Sequence, residues 1–187
     1  MIKGKEHKLW TTLKSEYLFQ RPWLTVRRDM VQLPNGNINP EHYVLEYPSW
    51  VNVIAITQGG EMVMEVQYRH GLHSVDYEIC AGVVEDGEDP LVAAQRELME
   101  ETGFGGGTWT KLMEICGNPS VTNNITHCYL AQGVKRLSDQ NLEATEDIEV
   151  VLMKPAEVLA ILQSDCMKQA LMAAPLWKFF AMQQQRE

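Results

Sequence analysis

Gly82-Val83-Val84-Glu85-Asp86-Gly87-Glu88-Asp89-Pro90, continuing into Arg96-Glu97-Leu98-Met99-Glu100-Glu101-Thr102-Gly103-Phe104, is the stretch that decides both fold and chemistry. Asp89 suits a helix N-cap, and Pro90 suits the first helical position, where a missing N–H costs nothing. Gly103 marks the end, because glycine readily takes the left-handed conformation that follows a last turn. Leu91, Ala94, Leu98 and Thr102 fall on one face, which should pack on a sheet. Glu97, Glu100 and Glu101 stand at i, i+3 and i+4, within about 100° of arc, so they lie together. Most glutamate-rich helices simply present a solvated acidic face. Two costs count against that reading here. Like charges at these spacings cost roughly 0.2–0.5 kcal/mol each, and only Arg96, four residues before Glu100 in the less favourable order, could relieve them. Glu100 and Glu101 also occupy the last turn, where the helix dipole disfavours negative charge. Hard divalent cations taking oxygen ligands reverse the sign of both terms, and magnesium in particular binds through a few carboxylates plus substrate phosphates. The cluster therefore predicts a metal site.

Composition sets the surroundings. The 187 residues carry 16 Lys and Arg against 25 Asp and Glu, a net charge of -9, with 45% hydrophobic content. These values fit one soluble globular domain. Nucleic acids and anionic membranes are held by clustered lysine and arginine, so neither is an expected partner. An anionic substrate would need metal cations between itself and the carboxylates. No stretch approaches the roughly 20 apolar residues that span a bilayer, and the start, MIKGKEHKLW, lacks the apolar core of a secretory signal, so the cytosol is expected. Cys80, Cys116, Cys128 and Cys166 form no C-x-x-C pair and no zinc-finger spacing; buried reduced thiols are expected.

Outward from the helix, Leu24 to Arg28 and Tyr43 to Tyr47 read as strands of a hairpin, with Pro34-Asn35-Gly36 as a strong turn signal between them. Val51 to Thr57 and Met62 to Tyr68 repeat the pattern around Gln58-Gly59-Gly60. After the helix, Gly105-Gly106-Gly107 reads as a flexible exit, followed by strands at Lys111 to Cys116, Thr126 to Ala131 and Ile148 to Met153. A polar loop, Ser138 to Asp147, separates the last two. Beyond Pro155 the apolar spacing reads as helix, with breaks expected near Asp165 and at Pro175. The QQQRE tail is expected to fray.

The quoted stretch resembles the Nudix box, G-x5-E-x7-R-E-U-x-E-E-x-G-U with U apolar, at every defined position from Gly82 to Phe104. The resemblance implies an α+β fold, the Nudix-type α/β/α sandwich with a mixed β-sheet, preceded by a small antiparallel N-terminal sheet. It divides the chain into residues 1–50, an N-terminal β-strand segment in the interface of a homodimer, and residues 51–187, the hydrolase domain. It implies Mg2+, with Mn2+ as a substitute, held by Glu97 and Glu101, with Glu100 third, and by the backbone carbonyl of Ala81. Arg96 would orient the cluster through its fixed guanidinium fork. Glu88 is expected to stabilise the loop rather than take part in chemistry. A base outside the box is expected in Glu143-Ala144-Thr145-Glu146-Asp147-Ile148-Glu149, with Glu146 first and Asp147 and Glu149 behind it; a solvated loop is the bland alternative.

Within the family, two features favour the ADP-ribose pyrophosphatases. Pro119 stands fifteen residues past Phe104, where those enzymes carry a proline, and Arg69 ends a strand whose arginine in those enzymes contacts substrate phosphate. A strand-end arginine also serves solubility alone. The same resemblance places aromatics of the N-terminal strands against the base: Trp23, with Tyr43 or Trp50 opposite, although such residues also fill cores and dimer interfaces. One departure is Cys80, where many relatives carry proline; it bears on the backbone that presents Ala81. Three rivals remain. A non-catalytic nucleotide sensor usually has a damaged box and an added DNA-binding module. An RNA 5′-end pyrophosphohydrolase needs a basic groove, which the charge opposes. A pool-sanitising triphosphate pyrophosphohydrolase would make Pro119 and the N-terminal extension coincidences.

Overall fold

The protein is described from a computed structural model over residues 8–185. Residues 1–7, the start in which no secretory signal is expected, and the last two residues of the tail expected to fray lie outside the described residues. The chain forms two units.

The first unit comprises the chain up to Tyr47 together with Asn118–Asn124. Strands β1 (Thr11–Arg21), β2 (Leu24–Gln32) and β3 (Ile38–Glu46) make an antiparallel sheet in that order. The hairpin read from Pro34-Asn35-Gly36 is β2–β3: Gly36 donates its N–H to the Leu33 carbonyl at 2.9 Å and takes a φ of 86°, a conformation glycine adopts without a Cβ penalty. Strand β1 is missing from the strands expected above. Its register shifts between Thr12 and Lys14 and again between Tyr17 and Phe19. Such irregularities break the period-two pattern by which strands are recognised. The Asn118–Asn124 loop joins the same unit, with the Leu45 N–H donating to Val121 O at 2.7 Å and the Tyr47 N–H to Asn123 Oδ1 at 3.2 Å.

The second unit holds the mixed sheet and the three α-helices found among the described residues. Its elements are β4 (Trp50–Thr57), β5 (Met62–Arg69), β6 (Ser74–Glu78), β7 (Cys80–Val83), α1 (Pro90–Thr102), β8 (Phe104–Gly105), β9 (Thr108–Ile115), β10 (Thr126–Arg136), β11 (Ile148–Met153), α2 (Pro155–Gln163) and α3 (Ala170–Gln184). The sheet runs β11-β5-β4-β10-β8, with β6 on β5, β7 on β4 and β9 on β10. The β4–β10 pair is parallel. Strand alternation feeds two cores. Val51, Val53 and Ala55 of β4 join Ala93, Ala94 and Leu98 of α1, while Ile54 joins Val158, Leu162, Leu176 and Phe179 of α2 and α3. This is the α/β/α arrangement expected from the box. No helix among the described residues is long and apolar enough to cross a membrane.

Strands β6, β7 and β8 are missing from the sequence reading, and three further details depart from it. Gly105 is not a flexible exit but pairs in β8 with Lys135. Of the cysteines, Cys80 and Cys128 are buried, but Cys166 is exposed and Cys116 half-buried. Helix α3 continues through Pro175. Proline removes the N–H that would bond the carbonyl four residues back, that of Leu171. The Asn52 side-chain amide donates to that carbonyl at 2.6 Å, so it is not orphaned.

Asp89 caps α1 by accepting from Leu91 N–H and Val92 N–H, and Gly103 closes it at φ 74°. A Cβ on Gly103 would stand 2.3 Å from the Ser138 carbonyl oxygen. Gly103→Ala combines a left-handed conformation with a backbone clash and is expected to cost at least about 1–3 kcal/mol, measured as a lowered urea midpoint.

Candidate active site

Arg96 organises the carboxylates. Its Nε donates to Glu88 Oε1 at 3.0 Å, its Nη2 to Glu88 Oε2 at 2.9 Å and to the Val83 carbonyl at 3.0 Å, and its Nη1 to Glu97 at 2.9 Å and Glu100 at 3.1 Å. Each of the five guanidinium N–H groups thus has an acceptor. The bond to Arg96 holds the Glu88 carboxyl below the ordinary glutamate range. Glu88 also accepts from the Glu85 N–H at 3.0 Å, which fixes the loop entering the helix.

Glu97 is packed against β7. A Cβ on Gly82 would lie 2.0 Å from Glu97 Cδ, so only glycine lets the strand pass this close to the carboxylate. Burial pushes the Glu97 carboxyl up while Arg96 pulls it back. One turn on, Glu101 is only 6% exposed and accepts from the Ala81 N–H at 3.2 Å. Burial pushes it up to about 7, offset in part by its bonds to Cys80 and Ala81 and reinforced by the negative charges of Glu97 and Glu146. Glu100 stays at the rim on Arg96, with 40% of its side chain exposed.

The loop that bears Glu146 hangs on the end of α1. Gln140 donates to the Glu101 carbonyl at 2.7 Å and to the Ile148 carbonyl at 3.0 Å, and the Asn141 N–H donates to the Glu100 carbonyl at 2.8 Å. These bonds satisfy carbonyls that a helix C-terminus leaves open. Glu146 is half-buried, whereas Glu143, Asp147 and Glu149 are exposed. Its carboxylate accepts from the Glu143 N–H at 2.8 Å.

A cleft of about 200 Å3 opens beside the carboxylates, lined among others by Trp50, Asn52, Arg69, Ala81, Gly82 and Thr126. Arg69 is clamped there by Glu78, which accepts at 2.8 and 2.5 Å. The second unit therefore gathers Trp50, Arg69, Ala81, Arg96, Glu97, Glu100, Glu101 and Glu146. Trp23, Tyr43 and Pro119 belong to the first unit: Trp23 at the β1–β2 turn, 76% exposed, Tyr43 in β3, and Pro119 in the Asn118–Asn124 loop. Sequence reading missed Glu65, Glu78 and Gln140. Nothing local marks them, since each acts through partners at least eight residues away.

The NUDIX domain model matches residues 46–173, and the model of the nucleoside diphosphate sugar hydrolase N-terminal domain matches residues 10–45. The chain belongs to the Nudix family. It is 36% identical over 149 residues to the methanol dehydrogenase activator of Bacillus methanolicus, covering 79% of this chain and 80% of that one. It is 31% identical over 164 residues to the ADP-ribose pyrophosphatase of Bacillus subtilis, covering 87% and 86%. A crystal structure titled ADP compounds hydrolase superposes with a TM-score of 0.82 over 95% of both chains at 22% identity, which shows the shared fold. The protein is a Nudix hydrolase, and enzymes of this kind work with a divalent metal.

The residues fit such an ion. Glu97 and Glu101 are one helical turn apart beside Ala81, and Gly82 leaves room for the carboxylate that a side chain would displace. Without a cation the crowding is costly. The folded state raises the Glu101 pKa from 4.5 to about 7, so between those values it holds a proton that the unfolded chain has released. The unfolded state then binds fewer protons, and this contribution to stability falls as pH rises through the window. Melts in chelator are expected to show that decline, and Glu101→Gln to flatten it.

Proposed function

We propose that this Nudix hydrolase cleaves the diphosphate linkage of a nucleoside diphosphate sugar, with ADP-ribose the preferred substrate and AMP and ribose 5-phosphate the products. The observation that carries the reading is the shared wall: Ala81 and Gly82 line the cleft and also touch Glu101 and Glu97. A diphosphate reaching into the cleft would meet the carboxylate cluster along that strand. ADP-ribose is favoured by Pro119 and Arg69, by the N-terminal domain matched over residues 10–45, and by the names of the Bacillus subtilis and Mycobacterium tuberculosis relatives.

In this reading Glu97, Glu101 and the Ala81 carbonyl hold the ion, Mg2+ by preference with Mn2+ as a substitute, and Glu100 is a third carboxylate ligand. When bound, such an ion neutralises diphosphate oxygens and acidifies a water. Arg96 keeps Glu97 and Glu100 in register, Arg69 meets substrate phosphate from its Glu78 clamp, and Glu146 takes the proton of the attacking water. Trp50 would supply flat apolar area for the base, and the N-terminal strands that carry Trp23 and Tyr43 would offer theirs across a homodimer. The cleft is smaller than the roughly 300–1,000 Å3 usual for a whole ligand, so it takes only part of the substrate. The remainder would be covered by N-terminal strands in a homodimer. Leu13, Tyr17 and Phe19 of β1 are exposed large apolar residues, a feature that marks interaction surfaces.

A panel of ADP-ribose, GDP-mannose, UDP-glucose, NADH and dGTP with Mg2+ tests the substrate: AMP from ADP-ribose is expected, and turnover of dGTP with ADP-ribose untouched would overturn the assignment. Glu101→Gln should lower kcat by orders of magnitude with an unchanged circular dichroism spectrum, and near-normal turnover would refute its ligand role. Sedimentation should give twice the 21.3 kDa chain mass, with Phe19→Asp shifting the protein toward monomer.

A further inference from the structure

Behind the carboxylate cluster lies a second set of donors. In β5, Met62 and Met64 enter the core under α2 and α3 and Val63 enters the core under α1. By the same alternation Glu65 turns toward α1, at a strand position whose pattern calls for an apolar residue. There it meets Cys80 of β7 and Glu101 of α1. One ligand atom from each of the three lies within 4.8 Å of the others. The residues are 3%, 1% and 6% exposed. Arg69, whose positive charge acts on Glu65, is already held by Glu78. A second observation concerns an atom of Glu65 itself: its Oε1 is buried with no hydrogen-bond partner. Buried polar atoms are nearly always paired, and one left over calls for a ligand to satisfy it.

A thiol sulfur with two carboxylates is not a magnesium donor set, because magnesium takes oxygen ligands. Zinc accepts both sulfur and carboxylate oxygen. We propose that Glu65, Cys80 and Glu101 form a buried site for a borderline-soft divalent cation of the Zn2+ class, adjoining the oxygen site at Glu97 and sharing Glu101 with it. Burial pushes the Cys80 thiol and the Glu65 carboxyl up, so each favours its protonated form. Ion binding releases both protons to solvent and leaves a thiolate and two carboxylates on the ion. The proposal goes beyond the hydrolase reading, which uses neither Glu65 nor Cys80.

Co2+ serves as the spectroscopic probe. Chelator-stripped protein titrated with Co2+ should develop sulfur-to-cobalt charge-transfer absorption in the near ultraviolet, saturating at one ion per chain and lost on adding Zn2+. Cys80→Ser should abolish the band, with Cys80→Ala as the alternative should serine unfold the chain, and Glu65→Gln should weaken Co2+ binding at least about tenfold. A wild-type spectrum showing only the weak visible bands of an oxygen-ligated ion overturns the site, whatever the hydrolase assay reads. A band that survives loss of Cys80, and so arises from Cys116, Cys128 or Cys166, overturns it equally.

Discussion

The guanidinium of Arg96 is the constraint on which the rest of this unit depends. It joins the Val83 carbonyl at the end of β7, the entry loop through Glu88, and two carboxylates of its own helix, using all five donors. A lysine could neutralise charge but could not span these directions, because an ammonium offers three donors at one point. The fork does more than neutralise. It fixes the rotation of α1 relative to β7, so that Glu97 settles over Gly82 and Glu101 reaches the Ala81 N–H. Removing it would leave half-buried carboxylates with no cation among them, a change far more costly than losing an exposed ion pair.

Features that rest on local chemistry were legible in the sequence. The bounds of α1 follow from Asp89-Pro90 and Gly103, the β2–β3 turn from Asn35-Gly36, and β11 from its run of apolar residues. Features that rest on partners distant in the chain were not. Strand β1 escapes because two register shifts destroy its alternation, and β6 and β7 because they are short and flank a single residue, Ile79. Pro175 reads as a break only if the Leu171 carbonyl has no other donor, and Asn52 is that donor from 119 residues away. The same holds for the site. The spacing of Glu97, Glu100 and Glu101 placed them together, but the burial of Glu101 against Glu65 and Cys80 depends on the strand face that β5 and β7 turn toward α1.

Acid sits in this molecule where stability alone would not put it: on a chain already at -9, in the last turn of a helix, and inside the sheet contact. Each placement raises the cost of the ionised form, through like charge, through the helix dipole and through desolvation. A divalent cation turns all three into attraction, because the crowding that repels carboxylates from one another concentrates ligands around the ion. The penalties meet at Glu101, a carboxylate that faces both Glu97 and the Glu65–Cys80 pair. Departures from local rules concentrate at functional sites. The elements spent on supporting this departure, the five-donor fork of Arg96, the glycine beneath Glu97 and the glutamine closing the helix end, measure how much of the unit is organised around it.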